Sequence, residues 1–176
     1  MHKTKAIYVG LITLALIVGV ANASTPDWVL PNNKITPGAL NITVNQLNIK
    51  SNICKPGWTA TIRPSVSYTN KLKEEQLRTT YASYIKIWGD KPSAYEEDHL
   101  ISLQLGGHPT DPKNLFPQPY AGNNARKKDV LETKLKRLVC AGTLKLADAQ
   151  KMVSTDWASA YKKYASKDTA IEDTDN

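Results

Sequence analysis

Asp98-His99, Asn114 and Asn123-Asn124 are residues whose types and order suit one reaction, the hydrolysis of a phosphodiester. Water is a poor nucleophile near neutral pH, so a base must take its proton. A histidine, with an ordinary pKa of about 6.5, is suited to that task. Charge also builds on the scissile phosphate and on the leaving oxygen, where a hard divalent cation would stabilise it. Asp98 and an asparagine carbonyl are hard oxygen ligands that suit Mg²⁺ and leave positions open for water and phosphate. Taken alone, an Asp-His pair is more often a surface ion pair or a capped strand end. Neighbours on a strand also point to opposite faces, so a strand end or bulge must re-aim one of the two.

The elements around these residues give the pair its weight. Residues 99–103 read as a first short strand, Gly106-Gly107 turns the chain, and Asn114-Leu115-Phe116 reads as a second strand between Pro112 and Pro117. After Asn124 the period changes. Val130, Leu131, Leu135, Leu138 and Val139 mark one face of a helix that Asn124 caps and Gly142 ends. A last helix, about 146–165, carries Ala149, Met152, Val153, Trp157, Ala160, Tyr161 and Tyr164 as a core stripe. Upstream, residues 73–87 predict one helix or a broken one, closed by Gly89-Asp90-Lys91-Pro92. Residues 49–68 are rich in β-favouring types broken by Pro56-Gly57 and Pro64, which predicts a hairpin or irregular strands. Residues 24–48 read as an extended, loop-rich arm.

Charge is concentrated next to the motif. Between 113 and 137 seven cations (Lys113, Arg126, Lys127, Lys128, Lys134, Lys136, Arg137) face two anions (Asp129, Glu132). Such a block is an electrostatic footprint for a polyanion, although by charge alone a solvated helix face would be the better reading. Lys113, Arg126, Lys127 and Lys128 stand closest to the motif and are the candidate phosphate contacts. His108, in the turn, reads as a surface histidine, and Trp58, Trp88 and Trp157 read as core.

The stretch from Glu97-Asp98-His99-Leu100-Ile101 through Leu105-Gly106-Gly107 and Asp111-Pro112-Lys113-Asn114-Leu115-Phe116 to Asn124-Ala125-Arg126-Lys127-Lys128-Asp129 resembles the HNH endonuclease motif, a ββα-metal finger. It is most similar to small exported bacterial proteins of that type. The segments around Cys54-Lys55-Pro56-Gly57-Trp58, Arg63-Pro64, Cys140-Ala141-Gly142 and Asp156-Trp157 resemble the same group, so the likeness extends over most of the chain. The resemblance implies an α+β fold with a ββα core, extra N-terminal elements and a C-terminal helix. It implies His99 as general base and Asn114 as the residue that holds the finger's loop and orients the histidine. Asp98 and Asn124, with Asn123 as the fallback, would hold one divalent metal. Mg²⁺ is the first expectation, and Mn²⁺, Ni²⁺ and Zn²⁺ also suit the motif. The chain departs from the pattern at Ser102, where a proline is common, and it has no zinc-binding cysteine pairs framing the finger.

The two ends concern location. Met1-His2-Lys3-Thr4-Lys5, the apolar run 6–20 and Ala21-Asn22-Ala23 read as a signal peptide cleaved after residue 23, with an apolar stretch short of the roughly 20 residues a bilayer core needs. The expected organisation is a signal at 1–23, an N-terminal extension at 24–92, the finger and C-terminal helix at 93–166, and a flexible acidic tail at 167–176. Cys54 and Cys140 then form an even pair in an oxidising compartment and read as a disulfide. The expectation is a periplasmic or secreted endonuclease, monomeric, free of the membrane after cleavage, and acting on DNA first and RNA second. The alternative is a non-catalytic periplasmic nucleic-acid-binding protein that keeps the fold.

Overall fold

A computed structural model describes residues 28–166, and both the expected signal (1–23) and the acidic tail (167–176) lie outside the described residues. The chain opens with irregular turns over 28–48. Backbone bonds from Gly38 to Lys113, Asn41 to Gly106 and His108 to Ala39 lay this arm along the Gly106-Gly107 turn.

Residues 49–68 are helical where strands were predicted. A 3₁₀ turn at Ile49–Ser51 leads to a short helix, α1 (Trp58–Ile62), entered through Gly57 at φ 77°. Ile49 in the 3₁₀ turn and Ile53 in the turn that follows both enter the main core, and their burial overrides the local β preference. Ser65 then caps α2 (Val66–Arg78) by accepting from the Tyr68 N–H. The helical region predicted over 73–87 is broken at 79–81, and α3 (Ala82–Trp88) follows. The break places Tyr81 in a small aromatic core with Val29, Leu100 and Phe116, its hydroxyl 2.7 Å from Thr36 Oγ1.

Two strands form one antiparallel hairpin, β1 (Tyr95–His99) and β2 (Leu115–Pro119), with Asp98 opposite Phe116 and His99 opposite Leu115. β2 takes in residues 115–116 of the predicted second strand and runs on through Pro117, whereas β1 lies four residues earlier than 99–103, so that His99 ends its strand instead of starting it. Beyond His99 the ladder is finished by Asn114, whose backbone carbonyl takes the Leu100 N–H at 2.8 Å and whose side chain takes the next one. Pro117 and Pro119 fit in β2 because residues two apart present their missing N–H on the same, outer side of a two-stranded sheet.

The two long helices complete the fold. α4 (Asn124–Cys140) and α5 (Leu146–Tyr164) pack on each other and on the hairpin end around Ile101, Leu105, Leu131, Leu135, Val139, Val153 and Trp157. α5 departs from helical geometry at Asp156, which restarts it by accepting from Ser159 N and Oγ. The architecture is therefore mixed α+β, a hairpin packed among helices. Cys54 and Cys140 are bonded, with Cα atoms 5.6 Å apart across a separation of 86 residues. A loop of that length stabilises by about 4–5 kcal/mol in the chain-entropy model. The bridge accords with an oxidising location, and no helix among the described residues is long and apolar enough to cross a membrane.

Candidate functional site

His99 is 6% exposed and has its Nε2 2.9 Å from the carbonyl oxygen of Pro109. A carbonyl only accepts, so in the neutral ring Nε2 carries the proton and Nδ1 keeps the lone pair. Burial holds the imidazole below its ordinary 6.5, with the Pro109 bond and Asp98 opposing that shift. The ring is therefore a neutral base at pH 7.

The loop that supplies Pro109 is fastened by Asn114. This side chain is fully buried, accepts from Ile101 N at 2.9 Å, and donates to Ile101 O at 2.9 Å and His108 O at 3.0 Å. Gly107 lies against it so closely that an added Cβ would sit 1.7 Å from the Ile101 carbonyl oxygen, which explains why glycine stands there. His108 acts within the same loop, its Nδ1 accepting from Thr110 N and Asp111 N.

Asp98 leaves the strand toward α4. Its Oδ2 is 2.7 Å from Lys128 Nζ, and that ammonium also donates to Glu132 and to the His99 carbonyl at 2.7 Å. The Lys128 side chain is 1% exposed, so all three N–H donors are spent inside the protein. Burial alone would lower the ammonium, but Asp98 and Glu132 more than offset that and hold it above its ordinary value. One cation cannot neutralise two carboxylates. The strain falls on Glu132, whose burial pushes its carboxyl up against the pull of Lys128, so that it holds a proton more readily than a free carboxyl does.

Asp98 and His99 also border a polar cavity of about 350 Å³, together with Thr59, Arg63, Glu96, Ser102, Asp129 and Glu132. Glu96 is pushed up to about 7 by burial and then by Asp98 and Asp129, and Asp129 is raised for the same reasons. On the neighbouring strand position, both oxygens of Glu97 are buried without a hydrogen-bond partner, and burial raises its carboxyl to about 9. Glu97 is thus a neutral acid at pH 7.

Asp98 and Asn124 are not brought together as a metal pair. Asn124 is fully buried as the first residue of α4, not its cap, and both ends of its amide are engaged, with Oδ1 accepting from Val29 N at 3.0 Å and Nδ2 donating to Ala121 O at 2.6 Å. Asn123 lies in the turn that enters α4. Among the described residues no three His, Cys, Asp or Glu side chains converge to enclose an ion. The cation that meets Asp98 is an ammonium. A divalent ion therefore does not fit the Asp98–Asn124 pair as arranged here.

The basic block divides in a similar way. Lys113 and Arg126 are exposed. Lys127 donates to Gly122 O and lies 4.6 Å over the Trp28 ring, and Lys128 is buried, so neither is the free phosphate contact that its position suggested. Glu96 was read from the sequence, with Glu97, as a further ligand or a group raising the basicity of His99, whereas Asp129, Glu132, Arg63 and Thr59 were not singled out as site residues. Lys128 and Glu132 at helical i,i+4 spacing, beside an acidic strand, were the available signal. No family model, no curated protein and no solved structure matches this chain.

Proposed function

We propose that the chain is an exported phosphodiester hydrolase of nucleic acid, built on a ββα finger of the HNH type, with His99 as its general base. The observation that carries this is the fixed ring of His99, whose Nε2–H bond to Pro109 leaves Nδ1 as the proton acceptor beside Asp98. In the proposed step, Nδ1 takes a proton from a water molecule in the cavity and the resulting hydroxide attacks phosphorus. The P–O bond to the leaving oxygen breaks, and that oxygen needs a proton. Glu96, raised to about 7 in the same cavity, is suited to give it, which makes two titratable groups with separate tasks. Asn114 is a positioning residue, because it sets the loop that orients the base. The disulfide supports the export part of the proposal.

The divalent ion implied by the resemblance takes no part in this step, since Lys128 already occupies Asp98. That same contact favours the second proposal, a non-catalytic nucleic-acid-binding protein that retains the finger. A plasmid-nicking assay, run with Mg²⁺ and with chelator, separates the two. Nicking by the wild type that is lost in His99→Ala supports the hydrolase. Plasmid binding by both proteins with nicking by neither supports the binding module.

A further inference from the structure

The carboxylates around His99 pose an electrostatic problem for any phosphate ligand. Asp98 and Asp129 border the cavity and repel an incoming anion, and Glu96 adds to this once it has lost its proton. Lys128 offers no relief, because its three N–H groups are already given to Asp98, Glu132 and the His99 carbonyl. The neutral His99 ring adds no positive charge. One other cation stands at this cavity, Arg63, and its charge acts on Glu96, His99 and Asp129.

We propose that Arg63 is the residue that binds the substrate phosphate over His99. The ligand class, a phosphodiester, rests on the function proposed above. Arg63 is exposed, and it forms no ion pair among the described residues. A guanidinium presents a rigid fork of N–H donors that matches two phosphate oxygens, which a lysine does not. Its position is also built. Arg63 closes α1 in an extended conformation, φ −64° and ψ 130°, the conformation imposed by the following Pro64. The segment that bears it is pinned by the Cys54–Cys140 bridge to the end of α4 and by Trp58 packed on the main core. An arginine on a tethered segment, open to solvent and lining the same cavity as the base, is arranged to meet an anion that enters from outside.

The direct test titrates inorganic phosphate and follows the Arg63 Nε–Hε resonance and the Thr59 amide by NMR, in the wild type, Arg63→Lys and Arg63→Ala. The expected result is a saturable shift in the wild type, about tenfold or more weaker binding in Arg63→Ala, and partial recovery in Arg63→Lys, as suits the loss of one bidentate charge-assisted contact. Shifts that persist unchanged in Arg63→Ala would overturn the proposal. In the nicking assay the same variant should raise KM by a similar factor. Phosphate binding at Arg63 without nicking would sink the hydrolase and keep this inference. Nicking that is indifferent to Arg63→Ala would do the reverse.

Discussion

The two flanks of the hairpin's end hold their residues by different means. On the loop flank, His99 is fixed by neutral hydrogen bonds through Pro109, and Asn114 fastens the loop with three bonds to backbone. On the helix flank, Asp98, Lys128 and Glu132 form a buried charged triad that also grips the His99 carbonyl. The neutral flank sets the orientation of the base and is insensitive to salt. The charged flank sets how α4 lies against β1, and it fills with an ammonium the place where the motif resemblance calls for a metal. The proposed chemistry thus rests on one flank, and the difference from the expected metal finger lies on the other.

Breaking the charged flank should have the largest effect. Lys128→Met leaves buried Glu132 and half-buried Asp98 without their cation and should cost about 3–5 kcal/mol in denaturant unfolding. It should also create a response to divalent ions, so Mn²⁺ should raise Tm more in Lys128→Met than in the wild type. A strong Mn²⁺ effect in the wild type that disappears in Asp98→Ala would instead restore the metal expectation.

The neutral flank should give a smaller loss of stability and a larger change at the base. Asn114→Ala leaves Ile101 and His108 backbone groups without their partner and should cost about 3 kcal/mol. Because the loop is then free to move Pro109, whose bond holds the imidazole up against burial, the His99 pKa should move further below 6.5. An unchanged His99 titration in this variant would show that the loop does not orient the ring.

The effect between the flanks, at Glu97, is set by pH. Its folded carboxyl sits at about 9 against an ordinary 4.5, so the folded state holds the extra proton between those values and loses stability as pH rises through them. Glu97→Gln should therefore match the wild type near pH 4 and exceed it in Tm increasingly from pH 5 to 9. A pH-independent difference would mean that Glu97 is not buried as a neutral acid.

The flanks also differed in how far the sequence revealed them. The loop flank is local. Gly106-Gly107, the prolines and Asn114 lie within about twenty residues of His99, and each residue type announces its turn or its bonds. The first strand was misplaced, because Asn114 ends the ladder with side-chain bonds that no alternation pattern registers. The helix flank depends on which turn of α4 meets β1. A shift of one turn along the axis exchanges Asn124 for Lys128 as the partner of Asp98, and residue types alone did not decide between them. The same applies to Arg63, which reaches the cavity only through the disulfide-bonded arm. Residues 49–68 misled for a related reason, since their β-favouring types are overridden by the burial of Ile49 and Ile53.

The state of the His99 ring bears most directly on the proposed chemistry. Long-range ¹H–¹⁵N correlation of the imidazole across a pH titration reads both the tautomer and the pKa. A neutral ring protonated at Nε2, with its midpoint below 6.5, is the expected result. A ring protonated at Nδ1, or one still charged at pH 7, would remove the general base.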